Sequence, residues 1–231
     1  MGKLAFLFPG QGAQVVGMGR DFYDAYDLAK ERFAEADEAL GYSIRKLCFE
    51  GPADQLQLTE HTQPAILTVA VIAAELLRAE GVEPEIAAGH SLGEYAALVA
   101  AGVLSFQDAV LLVHKRGAYM QEAVPVGEGA MAAVIGLDDE VIIEVCAAAS
   151  TVGAVQAVNF NCPGQTVIAG TAKGVEKAVE MLQEKGAKKA VILPVSAPFH
   201  STLMEPAAKK LAAELDKVEL HDAVFPVVSN Y

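Results

Sequence analysis

Hydrophobic periodicity in the first half of the chain predicts a buried strand, several helices and a second strand. The apolar run 4–8 is continuous and ends at Pro9 and Gly10, which predicts a strand buried on both faces, as in a parallel sheet. Apolar residues at helical spacing, closed by glycines, predict helices further along. The remaining elements predicted here are a strand at 84–88 and helices at 21–40, 62–80, 91–101 and 105–120. This alternation is typical of an α/β fold with a parallel sheet.

The second half has a different pattern, which predicts a small inserted domain. Several glycines between 127 and 136 indicate a hinge. Beyond them, the order strand, helix, strand, strand, helix, strand is that of a ferredoxin-like unit. Its strands are predicted at 130–135, 154–159, 165–169 and 190–194, and its helices at 138–149 and 172–185. We therefore predict a ferredoxin-like insert at 127–195 within a larger domain made of 1–126 and 196–231.

The last elements of the sequence predict that the larger domain is incomplete. A helix at 204–215 and a strand at 224–228 follow the insert, and no helix follows that strand. A strand of a parallel sheet normally has a following helix that covers one face. We therefore expect the larger domain to be C-terminally incomplete.

Composition and charge exclude several classes of protein. The chain has 231 residues, of which 53% are hydrophobic, and this is enough for a substantial core and too apolar for a disordered protein. Its 17 Lys+Arg against 30 Asp+Glu give a formal net charge of −13. This balance argues against nucleic acid as a partner and against a polybasic membrane anchor. The longest apolar stretch, 65–74, is shorter than the roughly 18 residues that span a bilayer, so we expect no membrane partner.

The cysteines favour a cytoplasmic protein without a metal site. Cys48, Cys146 and Cys162 are widely spaced, and no Cys/His cluster has zinc-ligand spacing. A sparse, odd set of cysteines behind no recognisable signal peptide is typical of reduced thiols in the cytoplasm.

The candidate nucleophile lies in Gly89-His90-Ser91-Leu92-Gly93, which matches the G-x-S-x-G pattern of a nucleophile elbow. Such a turn exposes the serine hydroxyl at the carboxyl end of a sheet, and the N–H of Leu92 at the helix start can stabilise an oxyanion. A chance match in a loop is the alternative, because the pattern alone is only moderately specific. The predicted strand before it and helix after it favour Ser91 as a nucleophile.

A serine nucleophile needs a general base, since a free hydroxyl is hardly ionised. Among the five histidines, His200 in Pro198-Phe199-His200-Ser201 is the candidate, because it is predicted in a strand-to-helix loop of the larger domain. A capping or core histidine is the alternative. Serine before histidine is the order of α/β-hydrolases. No Asp or Glu clearly completes a triad, so a backbone carbonyl could orient the histidine, which would make Ser91 and His200 a dyad.

Arg116 is the most informative charge in the sequence. Helical spacing places it on one apolar face with Ala109, Leu112, Val113 and Met120. An unpaired charge is costly on such a face, and a guanidinium there is best matched by a bidentate carboxylate or phosphate. The partner is either an Asp or Glu of the chain or a carboxylate of the substrate, and the spacing leaves both open.

A glycine-rich loop, Phe8-Pro-Gly-Gln-Gly-Ala-Gln14, follows the first predicted strand. It lacks the third glycine of a dinucleotide fingerprint and the Gly-Lys-Ser/Thr of a P-loop. The exposed N–H groups of such a loop, including that of Gln11 between two glycines, can face a ligand. A simple strand-to-helix turn is the alternative.

Together these motifs resemble the malonyl-CoA:acyl carrier protein transacylase family of type II fatty acid synthesis. The resemblance spans almost the whole chain in the family's order. The motifs that carry it are Phe8-Pro-Gly-Gln-Gly-Ala-Gln14, Thr62-Gln-Pro-Ala65, Gly89-His-Ser-Leu-Gly-Glu-Tyr95, Lys115-Arg-Gly117 with Met120, Asn161-Cys-Pro-Gly-Gln165 and Pro198-Phe-His-Ser201.

The resemblance implies an α/β-hydrolase-like large domain with a ferredoxin-like insert, and an acyltransferase that moves malonyl groups by a ping-pong mechanism. It implies that Ser91 attacks the malonyl thioester and that His200 takes its proton. It further implies that the N–H groups of Gln11 and Leu92 hold the oxyanion, while Arg116 pairs with the malonyl carboxylate.

The resemblance also implies binding residues and partners. Phe199 and Met120 resemble the malonyl-selective form of the pocket, and Gln63, Asn161 and Gln165 match positions near the cleft. The implied partners are malonyl-CoA and acyl carrier protein. No cofactor is expected, because CoA belongs to the substrate and phosphopantetheine is carried by the acyl carrier protein.

Two other functions stay open. A serine thioesterase or hydrolase could use the same Ser–His pair, although a carboxylate clamp at Arg116 suits a dicarboxylic acyl group. The second alternative is that the chain is an inactive fragment that only binds its partners, because members of the family run substantially further than residue 230.

Overall fold

The chain folds into two compact units, each with its own sheet. A computed structural model describes residues 3–195 and 197–230. The first unit contains the residues up to Ala118 and those from Leu211 onward, and the second is Tyr119–Lys210. The first sheet is parallel and the second is antiparallel, so the fold is mixed α/β. The predicted insert lies within the second unit, and its bounds stay a prediction.

The parallel sheet has the strand order β1-β2-β7. Its strands are β1 Ala5–Phe8, β2 Ile86–Gly89 and β7 Val227–Val228. Phe8, at the end of β1, pairs with Gly89, at the end of β2. The loops that leave these two strands therefore start side by side at the carboxyl edge, which is where open α/β sheets bind ligands.

Capping signals mark some of the helix ends. A left-handed Gly41 closes α2, and the Ser105 hydroxyl accepts a hydrogen bond from the Asp108 N–H in the first turn of α7. In chain order the helices are α1 Arg20–Ala25, α2 Asp27–Leu40, α3 Ile44–Glu50, α4 Ala53–Leu56, α5 Thr59–Ala79, α6 Gly93–Ala100, α7 Phe106–Ala123, α8 Asp139–Ala149, α9 Ala172–Glu184 and α10 Glu205–Leu215, with a 3₁₀ turn at Thr202–Met204 before the last.

α5 is the central helix of the first unit. Its length and its mean hydropathy of 1.3 would allow it to cross a membrane, but 56% of that apolar window is buried within the protein. Leu67, Val71 and Ile72 lie in one core cluster with Phe33 of α2 and Phe106 of α7. Burial of this extent is typical of a core helix.

The prediction that the first strand is buried on both faces is wrong. Phe6 and Phe8 are buried, whereas Leu7 between them is 77% exposed. β1 lies at the edge of its sheet, and the face that carries Leu7 is open to solvent. An apolar run identifies a strand but does not reveal whether both of its faces are covered.

The predicted helix at 21–40 is two helices, α1 and α2. Tyr26 has φ −132° and ψ 131°, an extended conformation that ends α1 before α2 begins. The short helices α3 and α4 were not predicted. α3 begins after Ser43, whose hydroxyl accepts a hydrogen bond from the Lys46 N–H at 3.2 Å, so a capping signal for it was present.

Within the second unit, residues 129–192 have the element order that the pattern predicts, strand, helix, strand, strand, helix, strand. Its sheet is antiparallel with the order β4-β5-β3-β6. Apolar residues of α8 and α9, including Ile142 and Leu182, form one core cluster with Val134 and Ile168 of the sheet. The strands are β3 Gly129–Ile135, β4 Val155–Cys162, β5 Gln165–Thr171 and β6 Lys189–Ile192.

Candidate functional site

The elbow around Ser91 is a tight turn between β2 and α6. Ser91 has a φ of +53°, in the left-handed region that non-glycine residues rarely adopt. A Cβ at Gly89 would lie 1.9 Å from the carbonyl carbon of Gly93, and a Cβ at Gly93 would lie 2.4 Å from the carbonyl oxygen of Phe8. Both positions therefore need glycine, and the G-x-S-x-G spacing is a steric requirement of this turn.

The glycine-rich loop after β1 packs against this elbow. A Cβ at Gly10 would lie 2.5 Å from Nδ1 of His90, so glycine permits the close approach. Gln11 follows directly, and its Nε2 donates to Oγ1 of Thr59 at 3.4 Å. Leu92 is the N-cap residue of α6 and is buried. Gln11 and Leu92, the residues predicted to supply the oxyanion hole, thus lie on neighbouring turns at the carboxyl edge.

Arg116 contacts the elbow directly. Its Nη2 donates to Oγ of Ser91 at 3.0 Å, and its Nη1 donates to Oε1 of Gln63 at 2.8 Å. The guanidinium also lies over the ring of Tyr95, 5.9 Å from the centroid. The structure therefore brings Ser91, Gln63 and Arg116 together, although they come from an elbow and two different helices.

A close helix contact makes this arrangement possible. A Cβ at Gly117 would lie 2.6 Å from the carbonyl oxygen of Thr59, so only glycine lets α7 approach α5 at this point. Gln63 of α5 is 1% exposed, and Arg116 of α7 is half-buried. The glycine next to the arginine therefore brings the guanidinium within reach of the buried amide.

Arg116 carries a charge that its neighbours do not neutralise. Burial lowers the pKa of Arg116, while Tyr95 and Glu94 act in the opposite direction. An arginine stays protonated in proteins, so the group is a desolvated cation. Among residues 3–195 and 197–230, no carboxylate forms a salt bridge with it, and its two hydrogen bonds are to neutral oxygens. The sequence left open an ion pair between Arg116 and an Asp or Glu of the chain. The described residues form no such pair.

His200 lies in an unusual turn of the second unit. It has a φ of +64°, and Ser91 and His200 are the two non-glycine residues with positive φ in the described part of the chain. The turn is fixed next to it by the Ser201 hydroxyl, which donates to the carbonyl of Pro198 at 2.7 Å. Strained backbone at a polar residue is common at functional sites, so this geometry supports a functional role for His200.

The other predicted residues of the second unit fall into two groups. Met120 and Phe199 belong to one buried apolar cluster, which also contains Met131. Asn161 and Gln165 lie instead on the β4–β5 hairpin, in β4 and at the start of β5. Met120 and Phe199 thus share one apolar cluster, and the two amides lie on either side of the β4–β5 turn.

Sequence reasoning missed Asn230. Its Oδ1 accepts a hydrogen bond from the Ser91 N–H at 2.8 Å, and its Nδ2 donates to the carbonyl of Gly89 at 2.7 Å. The sequence offered no signal for this contact, because it links residues that lie far apart in the chain.

A family model described as "Acyl transferase domain" matches residues 5–229. The chain is 54% identical to the malonyl CoA-acyl carrier protein transacylase of Bacillus subtilis (strain 168), over all of this chain and 73% of that protein. It is 52% identical to the protein of the same name from Escherichia coli (strain K12), over all of this chain and 75% of that one.

Solved structures resemble the fold closely. The malonyl CoA-acyl carrier protein transacylase of Coxiella burnetii matches with a TM-score of 0.97 and 46% identity, over 99% of this chain and 72% of that one. A malonyl-transacylase solved in complex with a type II polyketide acyl-carrier protein matches with a TM-score of 0.96 and 46% identity, over 99% of this chain and 74% of that one.

Proposed function

The chain belongs to the acyl transferase domain family, and from that premise we propose that it transfers a malonyl group from malonyl-CoA to the phosphopantetheine thiol of acyl carrier protein in fatty acid biosynthesis. Relatives about half identical over the whole chain bear that activity in their names.

The observation that carries this proposal is the contact between Arg116 and Ser91. The guanidinium donates to Oγ of Ser91 at 3.0 Å, and its hydrogen-bond partners are neutral. An acyl group on this oxygen that ends in a carboxylate would bring an anion to a desolvated cation. A buried charge without a partner is costly, so a carboxylate there is strongly favoured. A malonyl group supplies such a carboxylate, and an acetyl group does not.

The first half-reaction forms a malonyl-serine. His200 takes the proton from the Ser91 hydroxyl, and Oγ attacks the thioester carbonyl of malonyl-CoA. The N–H groups of Gln11 and Leu92 hold the developing oxyanion. The carbon–sulfur bond then breaks, and CoA leaves as its thiol after receiving the proton from His200.

The second half-reaction reverses these steps with a different thiol. His200 takes the proton of the phosphopantetheine thiol, and the sulfur attacks the malonyl ester. The bond to Ser91 breaks, and its oxygen regains the proton. CoA belongs to the substrate and phosphopantetheine to the carrier protein, so we propose that the chain needs no cofactor of its own.

The remaining roles concern selectivity and orientation. We propose that Met120 and Phe199 limit the acyl pocket to malonyl rather than methylmalonyl groups, and their common apolar cluster supports this. Gln63 holds the guanidinium of Arg116 through its hydrogen bond. Asn161 and Gln165 are proposed to contact the substrate near the cleft.

We also propose the finer architecture and the location. The parallel sheet with an elbow after β2 supports an α/β-hydrolase-like large domain. The strand order β4-β5-β3-β6 with two helices supports a ferredoxin-like small domain. The acidic composition and the unpaired cysteines support a soluble protein of the cytoplasm.

Intact mass measurement after incubation with malonyl-CoA tests the proposal. The wild-type chain should gain one malonyl group, and Ser91→Ala should gain none. Ser229→Ala, a change of an exposed serine, is the control and should be labelled like the wild type. An unlabelled wild-type chain, or label that persists on Ser91→Ala, would contradict the proposal. Labelled protein that releases malonate and never transfers it to carrier protein would favour the hydrolase instead.

A further inference from the structure

Asn230 makes three hydrogen bonds around the elbow. Its Oδ1 accepts from the Ser91 N–H at 2.8 Å, and its Nδ2 donates to the carbonyl oxygen of Gly89 at 2.7 Å. Its own N–H donates to Oε2 of Glu94 at 3.0 Å. One amide side chain therefore spans the elbow from its first residue to its serine.

Strand β7 brings Asn230 to this position. Val227 and Val228 pair in parallel with Ala87 and Ala88 of β2. The chain that leaves β7 therefore passes the carboxyl end of β2, where the elbow begins. Asn230 is the second residue after β7, and its short side chain reaches both backbone groups at good hydrogen-bond distance.

The backbone conformation of Ser91 in the elbow requires stabilising contacts. Ser91 has a φ of +53°, and such a conformation persists at a residue with a Cβ only where surrounding contacts hold it. Gly89 and Gly93 remove steric conflicts but form no side-chain contacts that would fix the turn. The hydrogen bond to Asn230 also engages the Ser91 N–H, which leaves the N–H groups of Leu92 and Gln11 as the proposed oxyanion donors.

We infer that Asn230 is a positioning residue for the nucleophile: its side-chain amide holds the backbone of the elbow so that Oγ of Ser91 keeps its reactive orientation. The inference rests on the proposed function, because it assigns Asn230 a role in forming the malonyl-serine. The competing role is purely structural, in which Asn230 only attaches β7 to the sheet. Asn230 itself is exposed, so water competes for its hydrogen bonds and the expected effect is moderate.

The test is the single-turnover rate of malonylation, followed by rapid quench and intact mass at several malonyl-CoA concentrations. Asn230→Ala should lower the maximal rate roughly tenfold, the effect expected from loss of a well-made backbone hydrogen bond. The half-saturating malonyl-CoA concentration should stay within about twofold of the wild-type value, because Asn230 positions the nucleophile and does not contact the ligand. Asn230→Asp keeps an acceptor for the Ser91 N–H but cannot donate to the Gly89 carbonyl, so it should also lower the maximal rate. Ser229→Ala is the neighbouring control and should match the wild type.

The outcomes separate the two claims. A reduced maximal rate with an unchanged thermal midpoint supports the positioning role. A wild-type rate in Asn230→Ala, or a change confined to the half-saturating concentration or the thermal midpoint, overturns it while the proposed function stands. If Asn230→Ala does not fold, Asn230→Asp decides by the same criteria. A wild-type chain that forms no malonyl-serine overturns the proposed function, and the inference falls with it.

Discussion

Replacement of Arg116 by alanine should impair malonyl transfer far more than acetyl transfer. In the structure, Nη2 of Arg116 donates to Oγ of Ser91 at 3.0 Å and Nη1 donates to Gln63 at 2.8 Å. A malonyl ester on Ser91 would have a free carboxylate just beyond the acyl carbonyl, and we propose that the same guanidinium binds it. The acetyl ester ends in a methyl group, which gives the guanidinium nothing to bind.

The magnitude follows from the exchange of hydrogen-bond partners. A hydrogen bond to a charged group contributes about 1.5–3 kcal/mol, and a neutral one contributes about 0.5–1.5 kcal/mol. Replacing a neutral partner by a carboxylate therefore stabilises by about 1–2 kcal/mol per bond, or about 2–4 kcal/mol for a bidentate pair. Arg116→Ala should thus lower kcat/KM for malonyl-CoA by roughly 30- to 1,000-fold. The loss for acetyl-CoA should stay below about tenfold, because an acetyl group has no carboxylate to lose and only the neutral contacts with Ser91 and Gln63 are removed.

The assay compares kcat/KM for malonyl-CoA and acetyl-CoA with the same carrier protein. Arg116→Lys keeps the charge without the planar fork and should fall between wild type and Arg116→Ala. Lys115→Ala is the matched control, because Lys115 is a neighbouring cation on the same helix that pairs with Glu214 at 2.6 Å. Equal losses for the two acyl groups in Arg116→Ala would refute the carboxylate clamp.

Three further predictions concern stability and thiol chemistry. Gly89→Ala should lower the free energy of unfolding by more than about 2 kcal/mol in a urea titration, because the new Cβ would lie 1.9 Å from the carbonyl carbon of Gly93. A variant as stable as the wild type would show that the elbow can relax. Ser43→Ala should lower the free energy of unfolding by about 1 kcal/mol, because it removes the N-cap of α3. An unchanged free energy of unfolding would mean that solvent replaces the cap. Burial raises the pKa of Cys48 to about 12 and of Cys146 to about 11, so both stay protonated at pH 8. A thiol reagent at that pH should label exposed Cys162 alone in the native chain and all three cysteines after unfolding; rapid native labelling of more than one thiol would contradict this.

Sequence patterns found the parts of the site that are fixed by local sterics. The G-x-S-x-G elbow needs glycine at Gly89 and Gly93 because backbone atoms would collide with any Cβ there. This steric requirement is why the G-x-S-x-G spacing could be recognised in the sequence. The helical face of Arg116 was readable for a similar reason, because periodicity places residues on faces.

Features that depend on contacts between distant segments were not predictable. Asn230 reaches the elbow only because β7 pairs with β2, and no local pattern encodes that pairing. The exposed face of Leu7 depends on whether another element covers β1, which an apolar run does not reveal. The break at Tyr26 was hidden because one residue in an extended conformation can separate two helices without changing the apolar spacing.

The most direct test of the central claim is transfer from the isolated malonyl-serine. The chain is malonylated with malonyl-CoA, freed from excess substrate and mixed with carrier protein that bears phosphopantetheine, and both proteins are followed by intact mass. The ping-pong mechanism predicts that the malonyl group leaves the chain and appears on the carrier protein much faster than it is lost to water in a parallel sample without carrier protein. Equal loss with and without carrier protein, and no malonyl group on the carrier, would contradict the account.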